Sequence, residues 1–208
     1  MRRVVITGVG AVTPIGNTVK EMWAGVREGK CGIDKITKYD ISNRKVKVAA
    51  EVKNLPVEEL VDKHDLRKMD LFCTFAMIAA DEAIADSGLS FEGEEDKCGV
   101  IVSSGIGGIS TIEKEYSKGL EKGFDRVSPY FIPSVITNMA AGRIAIKHNL
   151  QGMCSCVVTA CAGGTNAVGD SFRQIRDGYA DVMVCGGAEA GITEISVGGF
   201  TTSKALCQ

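Results

Sequence analysis

The chain has 208 residues, 45% hydrophobic and 24% charged, a composition that supports a packed core and does not suit a disordered chain. Its 24 Lys and Arg against 26 Asp and Glu give a formal net charge of −2, which offers no strong field for nucleic acid or an acidic membrane surface. The 25 Gly and 4 Pro suit many tight turns in an α/β protein, and the length fits one large domain or a small pair.

In chain order, Val4-Val5-Ile6-Thr7 reads as a short buried strand closed by Gly8 and Gly10. Arg2-Arg3 ahead of it does not make a targeting segment, because the apolar run is too short. Val19, Met22, Trp23 and Val26 follow helical spacing and predict an amphipathic helix over about 18–28, ended by Gly29. Residues 45–52 alternate loosely, as an edge strand or hairpin. Residues 66–86 read as one long helix, apolar nearly all round from 71 to 80 and stopped by Gly88. Residues 98–103 form a second buried strand, followed by Ser104-Gly105-Ile106-Gly107-Gly108. A polar, exposed helix covers 109–122. Ser128-Pro129-Tyr130-Phe131-Ile132-Pro133 is an extended loop, and Val135, Ile136, Met139, Ala140 and Ile144 mark the next helix. A strand over 155–160 runs into Cys161, and Val168, Phe172 and Ile175 give the following helix its apolar stripe. A last strand over 181–185 ends in Gly186-Gly187-Ala188-Glu189.

Strands alternating with helices imply α/β architecture, a mainly parallel mixed sheet with helices on both faces. No linker and no short repeat divides the chain, so 1–208 is read as one domain. It stops after Leu206-Cys207-Gln208 without a closing element, which reads as truncation.

Of eight cysteines, Cys161 stands apart. Strand-like residues lead straight into it, and Ala162-Gly163-Gly164 open a helix behind it. A helix N-terminus carries partial positive charge and free backbone N–H groups, which favour an anion. The thiolate is the reactive form of cysteine, and the small residues let a substrate approach the backbone. The other cysteines read as packing. With no signal peptide they are expected as reduced thiols of a cytoplasmic protein. Cys154-x-Cys156 does not have zinc spacing, and His64 and His148 are the only histidines, so no metal site is expected. No stretch is long enough to span a bilayer. Gly8-Val9-Gly10-Ala11-Val12-Thr13 mimics a dinucleotide fingerprint but has Thr13 where the third glycine belongs. Gly105-Ile106-Gly107-Gly108 is also short of that pattern.

In this order and spacing, six segments carry a resemblance. They are Arg3-Val4-Val5-Ile6-Thr7-Gly8, Thr13-Pro14-Ile15-Gly16-Asn17, Ser103-Ser104-Gly105-Ile106-Gly107-Gly108, Ser128 to Pro133, Thr159-Ala160-Cys161 and Gly186-Gly187-Ala188-Glu189. The chain resembles the β-ketoacyl-[acyl-carrier-protein] synthases, most closely the type II elongating synthases of bacterial fatty-acid synthesis, from Val4 to about Leu206. The resemblance implies a thiolase-like fold, of which this chain is the N-terminal half of a five-layer αβαβα dimer. It implies that the Cys161 thiolate takes an acyl group from a thioester, and that condensation with malonyl-carrier protein follows, with loss of CO₂. The family's two catalytic histidines and active-site lysine match nothing here, and His64 and His148 are expected at the surface.

Other roles follow from the same resemblance. The backbone N–H of Cys161 matches half of an oxyanion hole. Ile106, Phe131, Ala160 and Ala162 match the substrate site, with Phe131 also near a dimer interface. Lys63, Arg67, Lys68 and Lys204 match a basic patch for acyl carrier protein. Substrates ride on the phosphopantetheine arm of that protein, so no separate cofactor is implied. The chain alone is expected to be acylated at best and not to condense. Apolar surface left on the helix after Cys161 and on 71–80 predicts association through the strand near Cys156, or poor solubility. Two other readings stay open: a thiolase acting on coenzyme A esters, and an inert fragment or partner subunit.

Overall fold

The computed structural model of the chain describes residues 2–207. Its elements run α1 (Val19–Glu28), β1 (Asp34–Lys35), β2 (Val48–Ala49), α2 (Val57–Leu60), α3 (Lys63–Leu66), α4 (Leu71–Ser87), β3 (Cys98–Ser103), α5 (Ile109–Lys122), α6 (Phe131–Val135), α7 (Met139–His148), β4 (Cys154–Ser155), α8 (Gly163–Arg176), β5 (Val182–Gly187) and α9 (Glu194–Thr202).

The sheet has the order β4-β3-β5, with both pairings parallel. Central β3 is buried along its whole length, which is why its sequence is an apolar run without polar alternation. Its alternate residues serve two faces. Cys98, Val100 and Val102 join Phe72, Cys73, Met77 and Ile144 in the main core with α4 and α7. Ser103 faces the other way, against the first residue of α8. Helices on both faces of a parallel sheet were the expected architecture. β1 and β2 pair separately as a short antiparallel ladder; β2 lies in the 45–52 region read as an edge strand or hairpin, and its partner β1 lies before that region.

Local chemistry sets the ends of the helices. Thr18 accepts from the Glu21 amide at the start of α1, and Glu21 returns its carboxylate to the Asn17 amide, a reciprocal cap. Gly29 and Gly88 close α1 and α4 with φ of 67° and 63°, a region open to glycine.

The long helix expected over 66–86 begins only at Leu71, because α3 ends at Leu66 and a turn separates the two. The break is at Asp70, which is 2% exposed and caps α4 through the Phe72 amide. The other oxygen of its carboxylate accepts from the Ser110 hydroxyl at 2.6 Å, the Thr111 amide at 2.9 Å and the Thr111 hydroxyl at 2.7 Å. One buried side chain therefore caps one helix and ties it to the first turn of α5. Replacing Asp70 by Ala is expected to cost about 2–4 kcal/mol, because it removes a cap and leaves buried donors unpaired. Urea unfolding checks this, and a loss below about 0.5 kcal/mol, the level of an ordinary surface substitution, would count against the role.

Four other expectations change. Val4 to Thr7 joins no ladder, because α4 side chains hold the segment just after it: the Val9 and Ala11 amides donate to Asp86 and Glu82. Ile6 is left 81% exposed, and a largely apolar cavity of about 360 Å³ lies between this segment, α4, α8 and β5. The strand expected over 155–160 is only Cys154–Ser155, and Ala160–Ala162 turn as a 3₁₀ helix before α8. The loop at 128–133 winds into α6 from Phe131 onward, so the helix expected from Val135 begins only at Met139. The middle of α4 is buried rather than left as apolar surface. On α8 the expected exposure holds: Val168 and Phe172 are exposed, and the buried side is Gly163, Ala167 and Ser171. Among the described residues, no helix is long and apolar enough to cross a membrane.

Candidate active site

Cys161 is exposed at the centre of the 3₁₀ turn that feeds α8. Its predecessor Ala160 has φ of 49°, in the left-handed region that costs a residue with a Cβ about 1 kcal/mol or more. The turn is held by the Ala162 amide donating to the Thr159 carbonyl and the Gly163 amide donating to the Ala160 carbonyl. The thiol therefore stands outside the sheet on a sharp, strained bend, immediately before a helix N-terminus.

Gly163 behind it, and Gly187 at the end of β5, are required by space. A Cβ at Gly163 would lie 1.9 Å from the Ser103 hydroxyl oxygen, and a Cβ at Gly187 would lie 2.9 Å from the Gly164 Cα. The start of α8 is thus seated against the ends of β3 and β5 with no room for a methyl group. Gly163→Ala is expected to lift this end of α8, cost about 1–3 kcal/mol and shift the Cys161 turn. Thermal unfolding and the rate of Cys161 alkylation read the two effects, and an unchanged melt would show that the contact yields.

The turn over 104–108 lies beside Ala160, the residue before the thiol. A Cβ on Gly105 would be 3.8 Å from both the Cα and the carbonyl oxygen of Ala160. The Gly105 and Ile106 amides donate to one oxygen of Glu189 at 2.8 and 3.1 Å, and the Ser104 hydroxyl donates to the other at 3.2 Å. On its far side the turn presses on α6: Cβ atoms on Gly107 and Gly108 would each stand 2.4 Å from a carbonyl oxygen, that of Val135 and Ser134 respectively. Gly107 also needs its φ of 71°.

The fold thus gathers Ile106, Ala160, Cys161 and Ala162, and brings up α6, which Phe131 opens. Ile106 and Phe131 are half-buried, while Ala160 and Ala162 are exposed. The basic residues are elsewhere. Lys63 pairs with Glu58 at 3.1 Å, Arg67 is exposed, and the Lys68 ammonium meets His64 and sits 5.5 Å from the centre of the Tyr130 ring. Lys204 is exposed beyond α9 with φ of 59°, and among the described residues no hydrogen bond or ion pair links it to the other three. His64 is exposed as expected. His148 is only partly so, with its ring nitrogen 2.8 Å from Asp81, and neither histidine bonds to the Cys161 turn. The buried thiols are chemically quiet: desolvation pushes Cys73 up to about 12 and raises Cys98 as well.

Sequence reasoning missed the Glu189 clamp, the strain at Ala160 and the close seat at Gly163. The signals were present as Glu189 after two glycines and as Gly163-Gly164 after the thiol, but the partners they meet are distant in sequence.

A family model described as the N-terminal domain of β-ketoacyl synthase matches residues 1–208. The chain belongs to this family. It is 45% identical over 206 residues to proteins named 3-oxoacyl-[acyl-carrier-protein] synthase 2 from Synechocystis and from Staphylococcus aureus, covering 99% of this chain and 50% of theirs. The ketosynthase/chain length factor of ishigamide superposes with a TM-score of 0.88 at 28% identity, over 99% of this chain and 52% of that one. The chain spans about half the length of the curated relatives it matches. The thiolase-like ketosynthase fold is therefore established for this domain.

Proposed function

We propose that the chain is the nucleophile-bearing part of a 3-oxoacyl-[acyl-carrier-protein] synthase of fatty-acid elongation. One observation carries the reading: Cys161 stands exposed on a strained turn before α8, with the glycine-rich turn packed beside it. The 45% identity to two synthases of that name supports the substrate class. The substrate is an acyl chain in thioester linkage to the phosphopantetheine of acyl carrier protein. The Cys161 thiolate attacks the thioester carbon, and the carbonyl electron pair moves to oxygen. The Cys161 N–H would supply one donor to that oxyanion. Collapse re-forms the carbonyl and expels the phosphopantetheine thiolate, leaving the acyl group on Cys161.

Condensation asks for more. Loss of CO₂ from a malonyl thioester builds enolate charge on its carbonyl oxygen, and donors must meet it. His64 contacts Lys68 and His148 contacts Asp81, so neither is available beside Cys161. This chain alone is expected to become acylated and not to form a 3-oxoacyl product.

Carrier-protein docking is proposed at Lys63, Arg67, Lys68 and Lys204, where the charge is opposite to that of an acidic carrier. A second copy of the chain is the proposed partner for the exposed apolar residues Tyr116, Leu120, Ile132 and Ile136, with the open edge at β4 near Cys156 as a further contact. Unpaired thiols suit a cytoplasmic setting. The test is intact mass after incubation with a long-chain acyl-carrier protein. A gain of one acyl group supports the reading, and no gain in folded protein refutes it for this chain.

A further inference from the structure

The contacts of Glu189 reach beyond holding two strand ends together. Its carboxylate lies just past β5, and among the described residues it takes part in no ion pair. All its recorded hydrogen-bond partners are in one short turn: the Ser104 hydroxyl and the amides of Gly105 and Ile106. The Ser104 oxygen in turn accepts from the Gly107 amide at 3.0 Å. Three successive amides of the turn are thus gathered, directly or through Ser104, on this carboxylate. Bonds of this kind to an ionised acceptor are the strong ones.

The clamped turn borders the turn that carries Cys161, through Ala160. Gly105 is the residue nearest both partners, since its Cβ would fall 3.1 Å from the Glu189 oxygen and 3.8 Å from Ala160. Ile106 follows directly, and its Cδ1 would lie 3.6 Å from a Cβ on Gly191. Residues 104–108 are therefore pinned on three sides, by Glu189, by Ala160 and by α6, and on the Glu189 side the turn donates its hydrogen bonds to a distant side chain.

We propose that Glu189 is a positioning residue that locks the 104–108 turn against the Cys161 turn and so sets where an apolar acyl tail can lie beside the thiol. The inference rests on the reading of Cys161 as an acyl acceptor. Glu189 makes no contact with the reacting atoms. It acts by keeping Gly105 low against Ala160 and Ile106 in one orientation, so that an extended apolar tail meets a formed wall rather than a mobile loop.

The test compares the full chain with Glu189→Ala and Glu189→Gln, using N-ethylmaleimide and N-dodecylmaleimide and reading adducts at Cys161 by peptide mass. In the unaltered chain the long reagent is expected to react faster at Cys161. In Glu189→Ala that preference should fall about tenfold, as expected for loss of a charge-assisted hydrogen bond, with the short reagent unchanged. Glu189→Gln keeps one oxygen for the two amides and should restore most of it. Amide exchange at Gly105 and Ile106 should rise about tenfold in the Ala variant alone. The proposal is overturned if the unaltered chain shows no long-tail preference, if Ala retains it, or if Gln loses as much as Ala. Should Glu189→Ala not fold, exchange in the unaltered chain decides, since unprotected amides at Gly105 and Ile106 also overturn it. None of these readouts uses carrier protein. Failed acylation beside a Glu189-dependent preference would refute the proposed function and not the clamp.

Discussion

Cys161→Ala is expected to abolish the acyl adduct that a long-chain acyl-carrier protein leaves on the folded chain. The thiol is the atom that forms the new bond, so no residual route passes through this turn. With the only bond-forming atom of the turn gone, the acyl adduct at this position is expected to disappear from the mass measurement altogether. Cys161→Ser is expected to look almost the same. A serine hydroxyl needs an adjacent base to act, and neither histidine of this chain bonds to the turn. The comparison also separates true acylation from adventitious thiol chemistry, because Cys31, Cys154, Cys185 and Cys207 are exposed too. A mass gain that survives in both variants would move the chemistry to one of those and remove Cys161 from its proposed role.

Phe72→Ala is expected to be the most damaging single change in the core. Phe72 is 0% exposed and packs in a cluster drawn from α4, α7 and β3. Truncating a buried Phe costs about 3–5 kcal/mol, because both transfer energy and dispersion contacts are lost and the cavity closes only in part. Here collapse is difficult, since β3 is fixed by neighbours on both edges and α4 is fixed at Asp70. Against a typical total of about 5–15 kcal/mol, that loss puts the variant near its unfolding threshold. Urea unfolding reads it directly, and a change under about 1 kcal/mol would mean the core is not organised around this ring.

Much of the site was legible in the sequence for local reasons. Apolar 98–103 read directly as a buried strand, and a thiol followed by small residues marked the start of a helix, although the strand expected up to it gives way to a 3₁₀ turn. Gly29 and Gly88 mark helix ends by their own conformational freedom. The family resemblance rested on the order of six short segments, and that order is one-dimensional information.

Other features depended on partners far along the chain. Asp70 looked like one more polar residue in a helical run, and it became a helix start because Ser110 and Thr111 supply donors across the fold. The segment at Val4 had strand composition but found no ladder, because a strand also needs an edge to join, and Glu82 and Asp86 hold the chain just beyond it. Glu189 carried no visible role until folding set it beside Gly105, a separation of 84 positions. The sequence by itself determined which residues are chemically able, through backbone freedom, apolar periodicity and the thiol. The tertiary structure decided which of them meet, because hydrogen bonds and steric contacts act over a few ångströms in space, whatever the distance along the chain.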